Sequence, residues 1–315
     1  MTEPVYWLNG RLASAAEAVL PLNDHGLLYG DGVFEGIRFF NGKPFRLHPH
    51  LERLALSAHA LMLTIPIDRT ALERAVAEVI AAFDGADGYI RLVLTRGPGG
   101  LGLDPGRCEK PSLFLIADSI SLVEPSQRER GIRLITASTR RPGPCVLDPR
   151  IKSLNYLNNI LAKLEARHAG ADEALLLNER GHVAEGTTEN IFIARAGALF
   201  TPPLSDGALD GITRGMVLEL CEQERLKVTE QSLTPYDIHT ADECFLCGTG
   251  AELLPVQSVD GRRLAHTPGP VSERIRVAYR RLIETETAGS GCVITSDSFS
   301  PLTDYTHRSH ATPQE

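Results

Sequence analysis

The sequence predicts a mixed α/β (α+β) protein of two domains. Three observations carry that expectation. The chain has 315 residues, enough for two domains or one large one with a proper core. Strand-like and helix-like periodicities alternate along it. One stretch, residues 118–130, sets Pro125 and mixed charge between two strand patterns, as a linker would. The expected division is an N-terminal α/β domain over 1–120, a linker over 121–130 and a C-terminal domain over 131–287. A flexible tail over 288–315 follows, rich in Ser, Thr, Gly and His without periodicity. Hydrophobic residues make up 43% and charged residues 23%, as in an ordinary globular protein. A net charge of −8 argues against nucleic-acid or anionic-membrane binding. The first residues carry no signal-peptide pattern and no apolar run reaches spanning length, so a cytoplasmic protein with no membrane segment is expected.

In chain order, residues 5–8, the Asn9-Gly10 turn and Arg11 onward read as a hairpin. Four glycines between Asn23 and Arg38 allow close backbone approaches, but not at the dinucleotide spacing. A strand over 33–40 turns at Asn41-Gly42 into a second, 43–47. A helix over 48–57 follows, with Leu51, Leu54, Ala55 and Ala58 as its apolar stripe and Arg53 off it. His48, His50 and His59 read as surface or helix-end residues, and no metal site is expected. A helix over 70–83 precedes the strand 88–95, which puts Tyr89, Arg91, Val93 and Thr95 on one face. Strands at 112–117 and 131–137 flank the linker. The six cysteines read as separate reduced thiols, because Cys244 and Cys247 on one strand would face opposite sides. A short helix over 271–285 closes the fold.

The stretch from Arg150 to Ile191 organises the rest. Lys152 is placed where an extended segment meets a helix-compatible run over 154–170, among Ile151, Leu154 and Leu157. Partial burial there lowers an amine's pKa and frees its lone pair. After a strand over 173–178 and a turn at 179–182, Glu185 stands beside a glycine before the next strand, 190–194. A lysine nucleophile with one dedicated acid is what pyridoxal 5'-phosphate (PLP) chemistry needs: the lysine forms the Schiff base and the acid keeps the pyridine nitrogen protonated. Gly211-Ile-Thr-Arg214 opens a helix, a natural phosphate cradle. Leu246-Cys-Gly-Thr-Gly-Ala251 ends a strand in a second small-residue turn able to bind an anion.

These parts resemble the class IV aminotransferases (PLP fold type IV), and among them the branched-chain amino acid aminotransferases. The resemblance rests on six motifs in order over residues 5–285: Tyr29-Gly-Asp-Gly-Val-Phe-Glu-Gly-Ile-Arg38, Tyr89-Ile-Arg91, Lys152-Ser-Leu-Asn-Tyr156, Glu185-Gly-Thr-Thr-Glu-Asn190, Gly211-Ile-Thr-Arg214 and Gly248-Thr-Gly-Ala-Glu252. It implies that Lys152 carries PLP, that Glu185 pairs with the pyridine nitrogen and that Tyr156 bonds the ring's phenolic oxygen. Arg53, Gly211, Ile212, Thr213 and Thr249 would hold the phosphate. Tyr29, Phe34, Arg38, Tyr89 and Arg91 would line the substrate pocket, with the Thr249-Gly250 backbone at the α-carboxylate. The implied reaction is ping-pong transfer between an L-branched-chain amino acid and 2-oxoglutarate, by a homodimer or higher assembly. Its partners are then small amino acids and 2-oxo acids.

The chain departs from the family pattern at Thr188, where glycine is usual, at Gly250, where alanine is frequent, and over 119–123, which has no Tyr. The D-amino acid aminotransferases share Lys-Ser-Leu-Asn but use an Arg-x-His pair that Pro98-Gly-Gly-Leu-Gly102 does not supply. An (R)-amine transaminase, an aminodeoxychorismate lyase and a silent PLP-binding protein are also compatible with these motifs.

Overall fold

The computed structural model describes residues 2–121 and 123–288. The tail expected over 288–315 lies, apart from Ala288, outside the described residues, as does Cys292.

The first half of the chain forms a six-stranded sheet from β1 (Val5–Leu8), β2 (Arg11–Ala13), β3 (Gly32–Phe40), β4 (Lys43–Pro44), β5 (Gly88–Thr95) and β6 (Ser112–Asp118). The order is β2-β1-β6-β5-β3-β4, with every pair antiparallel. Between the strands come α1 (His25–Tyr29), α2 (Leu47–Ala60) and α3 (Arg69–Ala82). Strand alternation decides what each face does. Val33, Ile37 and Phe39 of β3 and Ile90, Leu92 and Leu94 of β5 pack under α2 and α3 in one core. Leu92→Ala in that core would cost about 2–5 kcal/mol. The opposite face carries Phe34, Gly36 and Arg38, paired across the ladder with Val93, Arg91 and Tyr89.

Three expectations fail here. The strand expected over 43–47 ends at Pro44, because Arg46 takes a left-handed conformation (φ 54°) and the chain turns straight into α2. Ala55 is exposed, while His50 and Ser57 join Leu51, Leu54 and Ala58 on the buried side. His50 is therefore no surface histidine; a buried carboxylate, described below, draws it in.

The second half begins with α4 (Pro125–Arg130), inside the expected linker. Pro125 opens that helix rather than breaking it; the Gln127 side chain accepts from the Glu124 N–H at 3.0 Å. Arg128 then reaches the Ala251 carbonyl at 3.0 Å. Next come β7 (Ile132–Arg140), α5 (Leu157–His168), β8 (Glu173–Leu177), β9 (Val183–Glu185), β10 (Asn190–Arg195) and β11 (Ala198–Thr201). They are followed by α6 (Ile212–Gln223), β12 (Val228–Glu230), α7 (Pro235–His239), β13 (Glu243–Gly248), β14 (Glu252–Val259), β15 (Arg262–Arg263) and α8 (Pro270–Glu286). The second sheet runs β12-β11-β10-β13-β14-β7-β8-β9 with β15 on β14, and it curls until β9 approaches β10. Its inner face is apolar, with Leu175, Val183, Ile193, Leu246 and Val256. Its outer face packs Phe192 and Phe245 against α6 and α8. Cys244 belongs to the inner core and Cys247 to the outer one, so they face opposite sides as expected. Both are free thiols, and no group of metal ligands occurs among the described residues. No helix there is long and apolar enough to cross a membrane. The expected short closing helix is a full 17 residues.

Candidate active site

Lys152 sits where the two sheets meet. The helix expected from residue 154 starts only at Leu157, and residues 152–154 are instead zipped onto the end of β3. Phe34 N–H donates to the Lys152 carbonyl at 3.0 Å, Leu154 N–H to the Gly32 carbonyl at 2.9 Å, and Lys152 N–H to Ser57 Oγ at 3.2 Å. The pinned backbone turns the Lys152 amine over the Phe34 ring, 4.6 Å from its centroid and 3.4 Å from the Tyr156 hydroxyl. Burial, then the nearby Arg53 cation, lowers the amine's pKa from 10.5 to about 8. Burial, then the Glu185 carboxylate, raises the Tyr156 phenol, which keeps its proton as a donor.

Two adjoining hollows meet at Lys152. One, of about 210 Å³, has Phe34, Gly36, Tyr89 and Arg91 as one wall, and Arg53, the start of α6 and Gly248–Ala251 as the other. Arg91 lies over the Phe34 ring at 4.5 Å and the Tyr89 ring at 5.5 Å. The second, of about 50 Å³, contains Glu185 and Arg141 beside Lys152 and Tyr156. Glu185 is buried and held three ways: Arg141 Nη2 at 2.6 Å, Leu209 N–H at 2.9 Å and Asn190 Nδ2 at 3.3 Å. Arg141 is itself fixed by donating to the Gly207 carbonyl at 3.2 Å and Asn159 Oδ1 at 3.0 Å.

Of the residues expected in a pocket, Lys152, Tyr156, Phe34, Tyr89, Arg91, Arg53, Gly211, Ile212, Thr213, Thr249 and Gly250 converge on the larger hollow, and Glu185 on the smaller. Tyr29 and Arg38 line neither. Tyr29 is 36% exposed, and its hydroxyl accepts from the Gly102 N–H at 3.0 Å. Arg38 turns to Glu252 at 3.7 Å and lies over Phe40. Sequence reasoning missed Arg141, Glu35 and His50. A glutamate on the apolar face of β3 was the available signal for Glu35, but nothing local marks Arg141.

The family model described as amino-transferase class IV matches residues 32–259. This chain belongs to the class IV aminotransferases. It is 46% identical over 275 residues to a putative branched-chain-amino-acid aminotransferase of Methanocaldococcus jannaschii, covering 87% of this chain and 94% of that one. It is also 35% identical to a D-alanine aminotransferase of Bacillus licheniformis, covering 89% and 97%. Among solved structures, the branched-chain amino acid aminotransferase from Thermobaculum terrenum in its PLP form superposes with a TM-score of 0.80 at 32% identity, covering 89% and 94%.

Class IV aminotransferases use PLP, and the donors in the larger hollow suit it. Thr213 is buried, and its hydroxyl lies beside the Tyr279 phenol without forming a hydrogen bond of good geometry. It stands in the first turn of α6, whose leading N–H groups lack intrahelical partners. Arg53 adds a cation. A hydroxyl without a strong partner, the N–H groups of a helix start and a guanidinium around one hollow are donors suited to an anion.

Proposed function

We propose that this aminotransferase moves the amino group of an L-branched-chain amino acid to 2-oxoglutarate in a ping-pong cycle. The observation that carries the proposal is the half-buried amine of Lys152, set between a fixed carboxylate and an anion cradle. The names of the relatives point the substrate toward branched chains. Bound PLP supplies an aldehyde that takes up the amino group and a ring that draws off electrons. Lys152 holds the cofactor, and its amine, neutral at moderately alkaline pH, takes the proton from the substrate's Cα. Glu185, locked by Arg141, meets the ring nitrogen, and Tyr156 donates to the ring's phenolic oxygen. Arg53, Gly211, Ile212, Thr213 and Thr249 hold the phosphate. The Phe34 and Tyr89 rings suit an apolar branch, while Arg91 between them suits the distal carboxylate of 2-oxoglutarate. The Thr249-Gly250 backbone faces the α-carboxylate.

The same reading divides the chain into domains over 1–120 and 131–287, supported by two sheets that span Val5–Asp118 and Ile132–Arg263, and makes it a homodimer or higher assembly. In support, α5 exposes Leu157, Ile160, Leu161 and Leu164, an apolar stripe at helical spacing that a second copy would cover. Asn155, just before that helix, donates to the Gly30 carbonyl, so α1 with exposed Leu27 and Leu28 adjoins the stripe. Tyr29 and Arg38 keep substrate roles only if assembly or closure brings them to a pocket.

Rapid mixing of the PLP-loaded enzyme with L-leucine and with D-alanine tests the substrate. Fast conversion to the aminated cofactor with L-leucine is expected. A faster response to D-alanine would move the protein to the D-amino acid group, and no response to either would end the proposal.

A further inference from the structure

Glu35 stands on the wrong side of β3. Its neighbours on that face, Val33, Ile37 and Phe39, fill the apolar core, and Glu35 is as fully buried as they are. A carboxylate survives there only if it is paired. Arg53 of α2 meets it with Nε at 2.7 Å and Nη2 at 2.8 Å, and His50 Nδ1 donates at 2.7 Å. Together they hold its pKa at about 2 against the burial that would raise it.

Arg53 has five N–H groups. Glu35 takes two, and the Asp210 carbonyl takes a third, from Nη1 at 2.6 Å. One N–H remains on each terminal nitrogen, on a side chain that lines the larger hollow. Asp210 directly precedes Gly211, the N-cap of α6. The chain Glu35–Arg53–Asp210 therefore ties a strand of the first sheet to the helix start in the second half of the chain.

We propose that Glu35 is a positioning residue: with His50 behind it, it orients the Arg53 guanidinium and the start of α6 into a cradle for a phosphate monoester before any cofactor arrives. This rests on the reading of Arg53 as the phosphate contact.

Two effects of Glu35 oppose each other, and that makes the inference testable. Its negative charge repels a phosphate, so deleting the charge alone would tighten binding. Its geometry aligns the fork, so deleting the alignment loosens binding. The experiment compares PLP with pyridoxal, which lacks the phosphate, by absorbance titration of the cofactor-free protein. Both ligands react with the Lys152 amine, whose pKa Glu35 also influences, so the ratio of their affinities is what isolates the phosphate. Positioning predicts that Glu35→Gln lowers the ratio of PLP to pyridoxal affinity on the order of tenfold. Glu35→Asp, which keeps the charge but shortens the arm, should weaken PLP too. An unchanged or higher ratio of PLP to pyridoxal affinity in Glu35→Gln overturns the inference. Should Glu35→Gln fail to fold, His50→Phe serves: a severalfold loss for PLP alone is expected, restored by His50→Asn, whose amide donates from a similar place. The same loss for both ligands in His50→Phe overturns the inference. Arg53→Gln separates the underlying reading: if it leaves the ratio of PLP to pyridoxal affinity untouched, Arg53 does not hold the phosphate and the inference falls with it.

Discussion

The Lys152 amine should capture aldehydes at a pH where ordinary lysines are inert. Its pKa of about 8, against 10.5 for a free side chain, sets the scale. At pH 7 roughly 9% of such amines are neutral, against roughly 0.03% of ordinary ones, about a 300-fold advantage. The largest cause is burial and the next is the Arg53 cation; Glu35 and Glu185 push the other way. The assay is the rate at which pyridoxal, which carries no titrating phosphate, attaches to the cofactor-free protein between pH 6 and 10. The rate should rise about tenfold per pH unit and level off near pH 8. Replacing Arg53 by Gln should move the midpoint up, and replacing Glu185 by Gln should move it down. A linkage follows with a definite sign. Between about 8 and 10.5 the unfolded chain binds a proton that the folded chain has lost, so this group makes stability rise with pH across that window. A capture rate still climbing past pH 10 would show that the folded site leaves the amine as water does, and would refute the reasoning.

Three further outcomes are expected. Glu185→Gln should keep PLP bound and slow turnover on the order of 100-fold, since one electrostatic partner is lost; unchanged turnover removes Glu185 from its role. Gly36→Ala places a Cβ about 2.0 Å from the Tyr89 hydroxyl, so Tyr89 must move. kcat/KM should drop roughly tenfold or more with cofactor affinity intact, and an unaltered kcat/KM would show that Tyr89 does not shape the pocket. The pair Leu157→Asp and Leu161→Asp charges the exposed stripe of α5 and should bring the mass in light scattering down to the single chain's 34.3 kDa; an undiminished assembly places the interface elsewhere.

What the sequence revealed follows how local each signal is. Lys152, Tyr156 and Glu185 lie within 34 positions on one stretch, and strand alternation alone put Tyr89 and Arg91 on the face that meets them. Glycine and threonine at the start of α6 could be singled out without long-range information, and they line the larger hollow. The partners that fix these groups arrive from elsewhere: Arg141 reaches Glu185 across the second sheet, and Glu35 and Arg53 are 18 residues apart on different elements. No local period encodes such pairs. His50 and Ala55 were misplaced on α2 for a related reason, because a buried carboxylate turned the helix's polar residues inward. Pro125 was read as a linker mark although the same residue opens helices, and only long-range ties such as Arg128 to Ala251 and Gln127 to Asp172 distinguish the two. Tyr29 and Arg38 sit in a matching motif, yet their side chains are engaged outside the hollows.

Every role proposed for the site depends on Lys152 as the cofactor's attachment point. Borohydride reduction of the PLP-loaded enzyme, followed by peptide mapping, makes that attachment permanent and locates it. The added mass should fall on the peptide containing Lys152 and vanish in Lys152→Ala, together with turnover. A label on Lys163 or any other lysine, or full turnover in purified Lys152→Ala supplied with PLP, would contradict it.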